Sequence, residues 1–267
     1  MAKVTSEFKV HLTKAQKDKL IKLADKYETK DFLSEDPSQF LYYYKKPEDI
    51  ELCAFIASLL SFGNRKQFIP KIKFIMEDAD QVGGIYNWIK DHCFENLFSP
   101  SNNRKFYRFY SYKDMYHLFE KLSDIVYTEK TLGLFLSNKY TEKLNNGASS
   151  DLNLIDVISE VFEKCNIVPS TKTSAKKRLC MFLRWMVRDN SPVDIGLWPW
   201  FKKENLLIPL DVHVLEESKK LGLLSEKALG TRKTAEELSK IAGQIFEGDP
   251  CRLDYALFGI GVDKDLH

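Results

Sequence analysis

Two stretches decide how this chain is read: TKTSAKKRLCMFLRWMVRD (171–189) and LLIPLDVHV (206–214). In the first, Leu179, Phe182, Leu183 and Met186 recur at helical spacing and predict a buried stripe, with Lys176 and Lys177 where the helix begins. In the second, Asp211 follows Pro209 and Leu210 and opens VHVLEESKKLGLL, a short helix ending near Gly222. Aspartate is among the best N-cap residues, which is the plain structural role for Asp211. A capping carboxylate is also held as the anion, so it can stabilise a cation that develops nearby. A helix-start lysine and a helix-start aspartate facing one cleft suit cleavage of a base–sugar bond.

The same periodicity extends outward. Thr13 and Gln16 make a capping box ahead of Leu20, Leu23, Ala24 and Tyr27. Residues 48–62 are apolar almost all round, as in a central buried helix. Further helices are predicted around 65–77, over 113–127 and over 151–164, and Thr234 with Glu237 forms a second capping box near the end. The stretches 145–150 and 228–233 read as connectors, and 189–205 as a long ordered loop carrying Leu197, Trp198 and Trp200. With 12 glycines and no clean strand alternation, the expectation is an all-α fold of two helical subdomains with a cleft between them. Residues 50–188 form one, a helical barrel ending in a helix–loop–helix, and 1–49 pack with 189–267 as the other. Lys177 lies on one wall of the cleft and Asp211 on the other.

Hydrophobic content of 44% beside 29% charged residues is ordinary for a globular protein, and a net charge of +2 says little about partners. The distribution says more. Seven cations and no acid lie between 164 and 188, and Lys177, Arg184 and Arg188 share a face at offsets of seven and four. Such a line either tracks a phosphate backbone or is a solvated helix face. Ser170, Thr171, Lys172, Thr173 and Ser174 precede the helix, where free amides and hydroxyls can hold a phosphate. Lys176 and Arg178 flank Lys177, and the first helical turn adds positive potential; both disfavour its ammonium form, a route to an activated amine. Lys176 is the fallback.

IASLLSFGNRKQ (56–67) leaves a turn whose Ser61, Asn64, Arg65 and Gln67 are candidate nucleic-acid contacts or simply a helix-to-helix link. SNNRKFYRFYSYK (101–113) interleaves cations with aromatics, so Tyr107 and Tyr112 either stack an extruded base or pack a surface segment. Trp198 is a further stacking candidate. His213 reads as structural or as a phosphate contact, since no second histidine stands at ligand spacing. The five cysteines form no CxxC, which argues against a zinc ribbon or a local iron–sulfur site and suits reduced thiols. The first residues lack the apolar core of a signal peptide, and no apolar run approaches the roughly 18 residues of a membrane span.

KRLCMFLRWMVR (177–188), IPLDVHV (208–214), DPCRLDYALFGIGV (249–262) and IASLLSFGNRKQ together resemble a bacterial family of uncharacterised proteins, DUF2400. Beyond it, the lysine–aspartate pattern resembles the helix-hairpin-helix DNA glycosylase superfamily. That resemblance implies Lys177 as Schiff-base lysine and Asp211 as essential carboxylate. It also implies a monomer acting on double-stranded DNA with a damaged base, cytoplasmic and nucleoid-associated, with no cofactor and no metal. Two departures stand out: the hairpin GxG is replaced by a Ser/Thr/Lys-rich loop, and no cysteine cluster matches an iron–sulfur loop. A non-catalytic module for damaged or bent nucleic acid is the alternative, and a helical protein–protein adaptor a third.

Overall fold

A computed structural model describes residues 12–34, 36–149 and 152–264, with side chains through Gly261. The signal-peptide reading of residues 1–11 and the start of the helix predicted from residue 151 lie outside the described residues.

The chain is mainly helical. Helix α1 (Lys14–Tyr27) begins at the predicted Thr13–Gln16 capping box. Helix α2 (Pro47–Leu60) has Pro47 at its first turn beside Glu48 and Asp49, which suit the positive end of the helix dipole. From Asp49 to Leu60 every residue is buried, as its all-round apolar pattern requires. Helix α3 (Arg65–Asp80) and the short α4 (Ile85–Lys90) follow. A two-stranded hairpin, β1 (Lys105–Tyr107) with β2 (Tyr110–Ser111), leads into α5 (Tyr112–Glu129) and α6 (Leu132–Asn145). Helix α7 (Leu154–Val161) and α8 (Lys177–Val187) bracket the Ser/Thr/Lys-rich loop. Helices α9 (Val212–Lys220), α10 (Arg232–Gly243) and α11 (Leu253–Lys264) complete the order.

The hairpin departs from the expectation of helix alone. Its turn has no Asn-Gly or Gly pair; Arg108 instead adopts φ 51°, so the usual turn signal is missing from the sequence. Helix α10 also starts earlier than expected. Thr231, not Thr234, is its cap, accepting the Thr234 N–H at 3.3 Å, and part of the supposed connector is therefore helical.

Buried side chains fall into two apolar clusters. The larger gathers α2 to α8, and the smaller gathers α1 with α9 to α11. Phe40 and Leu41 pack in the larger cluster, although the sequence reading placed residues 1–49 with the other. They sit in a 3₁₀ turn, Pro37–Tyr42, against α2, and burial against that apolar helix decides their side. Trp198, Phe201, Leu206 and Leu207 join the larger cluster as well, while Ala175 joins the smaller one. No helix among the described residues is long and apolar enough to cross a membrane.

Candidate functional site

Helix α8 opens at Lys177 because Lys176 breaks the helical path at φ 49°, ψ 43°. That left-handed residue is an uncommon place for a lysine and turns its side chain away from its neighbour's. Across from α8, Asp211 caps α9: its Oδ1 accepts the Val214 N–H at 2.9 Å. Its other oxygen, Oδ2, lies 3.8 Å from Lys177 Nζ. The two side chains are 33% and 43% exposed, so water screens the pair and neither group is locked. Both line a cavity of about 510 Å³ together with Asp36, Ser61, Phe62, Arg65, Arg178 and Met181.

Lys176 does not share that exposure. It is 3% exposed, and its ammonium donates to Ser159 Oγ at 2.8 Å and Asp156 Oδ1 at 3.2 Å on α7. Lys176, the fallback nucleophile, therefore keeps its amine on partners inside the fold, although the residue also lines the cavity.

The predicted line of cations along α8 is corrected too. Arg184 and Arg188 are buried, not solvated. Arg184 pairs with Asp194 and Asp254; Arg188 pairs with Glu28, Asp194 and Asp249. Tyr255 lies over both guanidinium groups and donates to Asp194 at 3.1 Å. Burial works against the Arg184 and Arg188 charges, but these carboxylates outweigh it and hold both groups firmly protonated. The partners come from distant segments, which is why a local count of charges misjudged the face.

Asp254, which the sequence reading did not single out, links this cluster to the cavity. Burial pushes its carboxyl up to about 6; Arg184 and Lys177 oppose the shift, and Asp211 and Asp36 add to it. The nearest signal in the sequence is its place in the DPCRLDYALFGIGV motif. His213 is exposed, with its ring seated on α11 at Gly261, where a Cβ would collide with it.

The turn after α2 contributes unevenly. Ser61 is buried at the cavity wall and donates to the Ala57 carbonyl at 2.6 Å. Asn64 caps α3 through the Lys66 N–H at 2.9 Å, Arg65 lies 3.6 Å from Asp36, and Gln67 is exposed. Thr171, Lys172 and Thr173 are exposed at the other rim. Ser174 accepts the Lys176 N–H at 3.2 Å, and the Thr173 carbonyl accepts the Arg232 N–H at 2.9 Å.

The expected base pocket of Tyr107, Tyr112 and Trp198 is not assembled. Tyr107 is buried and donates to the Phe62 carbonyl. Tyr112 packs on Phe98 and Phe106, each at 5.3 Å. Trp198 is buried, its indole N–H donating to Glu51 Oε1 at 2.8 Å. Gly133 allows that approach, since a Cβ there would strike both groups. The aromatic rings that do line the cavity are Phe62 and Phe68, with the Arg178 guanidinium 4.9 Å from the Phe62 centroid. Phe62 and Arg178 lie inside motifs already singled out, each one residue from a named candidate.

Among the described residues no group of His, Cys, Asp or Glu side chains is arranged to hold a metal. The five cysteines are free thiols, and burial pushes that of Cys180 up to about 12.

A family model described as protein of unknown function (DUF2400) matches residues 36–263. The chain belongs to the DUF2400 family. That match takes in Asp36, Arg65, Lys176, Lys177, Arg178 and Asp211, so every charged residue lining the cavity lies within the DUF2400 region. No curated protein and no solved structure matches this DUF2400 chain.

Proposed function

We propose that this protein is a DNA glycosylase with AP lyase activity, acting on a damaged base through Lys177. The observation that carries the reading is the approach of Lys177 Nζ to Asp211 Oδ2 at 3.8 Å on the wall of a cavity of about 510 Å³. That volume falls in the range of about 300–1,000 Å³ usual for small-ligand sites. Two apolar clusters, with Lys177 on α8 and Asp211 capping α9, support two helical subdomains of the helix-hairpin-helix glycosylase type with a cleft between them. The partner is double-stranded DNA, with oxidised guanine the first lesion to test.

The target nucleotide is turned out of the duplex into the cavity. Lys177 acts as the neutral amine, its ammonium proton having gone to solvent, and Asp211 stays ionised. The neutral amine then forms a C–N bond to the sugar C1′. The bond from C1′ to the base breaks, its electron pair leaving with the base, which takes up a proton. Asp211 stabilises the positive charge that develops on the sugar. Ring opening yields a Schiff base; loss of a C2′ proton then expels the 3′ phosphate and cuts the strand.

Borohydride trapping on duplexes carrying an abasic site or 8-oxoguanine tests this directly. A covalent adduct that disappears in Lys177→Ala supports the mechanism; an adduct that persists in Lys177→Ala removes Lys177 from the role. A non-catalytic module for damaged or bent nucleic acid is the second reading. It is favoured by one observation: the loop before α8 is tied to Thr231 and Arg232 instead of presenting an open phosphate anchor. Turnover on any lesion-containing duplex excludes it.

A further inference from the structure

Asp36 lines the same cavity as Lys177 and Asp211, yet the lysine–aspartate chemistry has no task for it. It caps the 3₁₀ turn Pro37–Tyr42, and its Oδ1 accepts the Ser38 N–H at 3.0 Å. Burial leaves the residue 9% exposed. Its other oxygen, Oδ2, has Arg65 at 3.6 Å, beyond hydrogen-bond reach and on a side chain that is 47% exposed. Among the described residues no donor bonds Oδ2.

A carboxylate with a spare oxygen is costly to hold out of water, and another buried acid shows how the fold usually meets that cost. Glu51 on α2 is buried as well, and both of its oxygens are used. Oε2 accepts the Gly133 N–H at 2.9 Å and Oε1 the Trp198 indole N–H at 2.8 Å. Asp36 differs: it reaches a cavity, and the donor its second oxygen lacks is one that a ligand can supply.

The walls narrow the chemistry of that ligand. Phe62, Phe68, Met181, Pro37 and Pro169 give the cavity apolar surfaces against which a flat ring system packs. An ionised carboxylate only accepts, so it favours a ring edge where N–H donors stand side by side and repels one that carries lone pairs. Among nucleobase edges, guanine offers such a pair in N1–H and the 2-amino group. Adenine and cytosine place a ring-nitrogen lone pair beside their one amino group. Thymine sets its N3–H between two carbonyl oxygens.

We infer that Asp36 determines the specificity of the cavity: its carboxylate accepts the N1–H and a 2-amino N–H of an extruded, guanine-derived base. Oδ2 takes one donor and the second lone pair of Oδ1 takes the other, so the Ser38 cap stays intact. The inference rests on the reading of the cavity as a nucleotide site and adds to it which edge of the base is read.

The test compares two duplexes, one carrying 8-oxoguanine and the other 8-oxohypoxanthine, which lacks only the 2-amino group. Both are titrated with the Lys177→Ala protein so that no bond breaks. The ratio of the two dissociation constants is measured again with Asp36→Asn added, which keeps a capping oxygen for Ser38 but puts an amide NH₂ in place of Oδ2. The cost of opening each base pair is common to both proteins and cancels in the quotient of the ratios. Preference for the 2-amino base should fall about tenfold or more in Asp36→Asn, the scale of one hydrogen bond to a charged group. Asp36→Ser, a shorter cap without a carboxylate, should give the same fall. A quotient near one in the folded variants, or no binding to either duplex, overturns the assignment of Asp36. Absence of borohydride trapping by the wild-type chain would sink the lyase reading alone, because the quotient requires no covalent step.

Discussion

Asp211 offers Lys177 only one of its carboxylate oxygens: Oδ2 lies 3.8 Å from the Lys177 amine, while Oδ1 is held at 2.9 Å by the Val214 N–H. Capping and catalysis therefore draw on different atoms of one side chain and can be separated by mutation. Asparagine caps helices about as well as aspartate, so Asp211→Asn should change stability by less than about 0.5 kcal/mol. Asp211→Ala should cost about 1 kcal/mol. Both should lower the yield of trapped adduct at least about tenfold, the scale of one lost charge interaction in a transition state. Equal trapping by Asp211→Asn and the wild type would reduce Asp211 to a cap.

Lys176 and Lys177 are neighbours in sequence with opposite surroundings. Lys176→Ala removes a buried amine from Asp156 and Ser159 and should cost about 1–3 kcal/mol in urea unfolding. Trapping per folded molecule should stay at the wild-type level. Loss of the adduct in a folded Lys176→Ala protein would transfer the nucleophile to Lys176.

Arg188 holds three carboxylates, those of Glu28, Asp194 and Asp249. Arg188→Ala leaves buried charges without their counterion and should destabilise the fold by about 3–5 kcal/mol. The salt dependence of DNA binding, measured under conditions where the variant is folded, should not move. A slope reduced by about one would return Arg188 to the DNA-facing surface.

Asp254 gives a pH signature. Its carboxyl is raised by burial to about 6 against an unfolded value of about 3.9, so the native state binds the proton more readily than the unfolded state. Ionising it costs stability as the pH rises from about 4 through about 6, by up to about 3 kcal/mol. Asp254→Asn lacks this cost. Its stability relative to wild type should therefore climb between pH 4 and 7, as read by denaturant unfolding at each pH. Parallel curves would show that the carboxyl titrates at its ordinary value.

The parts of this architecture that are legible in sequence are those set by local patterns. The apolar run of α2, the Thr13–Gln16 box and the caps formed by Asp211 and Asn64 each depend on residues a few positions apart. Arg184 and Arg188 show where local reading stops. Their spacing is that of a helix face, and only the distant Asp194, Asp249 and Asp254 decide that the face is interior. Trp198 was misplaced for a similar reason, since its partner Glu51 lies 147 residues away. The hairpin was missed because Arg108 supplies the turn that glycine or asparagine usually supplies.

The buried arginine cluster bears on the order in which the protein can be assembled. Arg184 lies in α8 and Arg188 caps its end, but Asp249 and Asp254 belong to the segment that begins more than sixty residues later. A ribosome that has made α8 and not yet the DPCRLD segment holds a chain with two cations and only Glu28 and Asp194 to meet them. Closing the fold around them at that stage would leave each guanidinium short of one of its carboxylate partners, Asp254 for Arg184 and Asp249 for Arg188. The α2–α8 core can condense early, whereas the wall that carries Asp211 should settle only after residue 254 emerges.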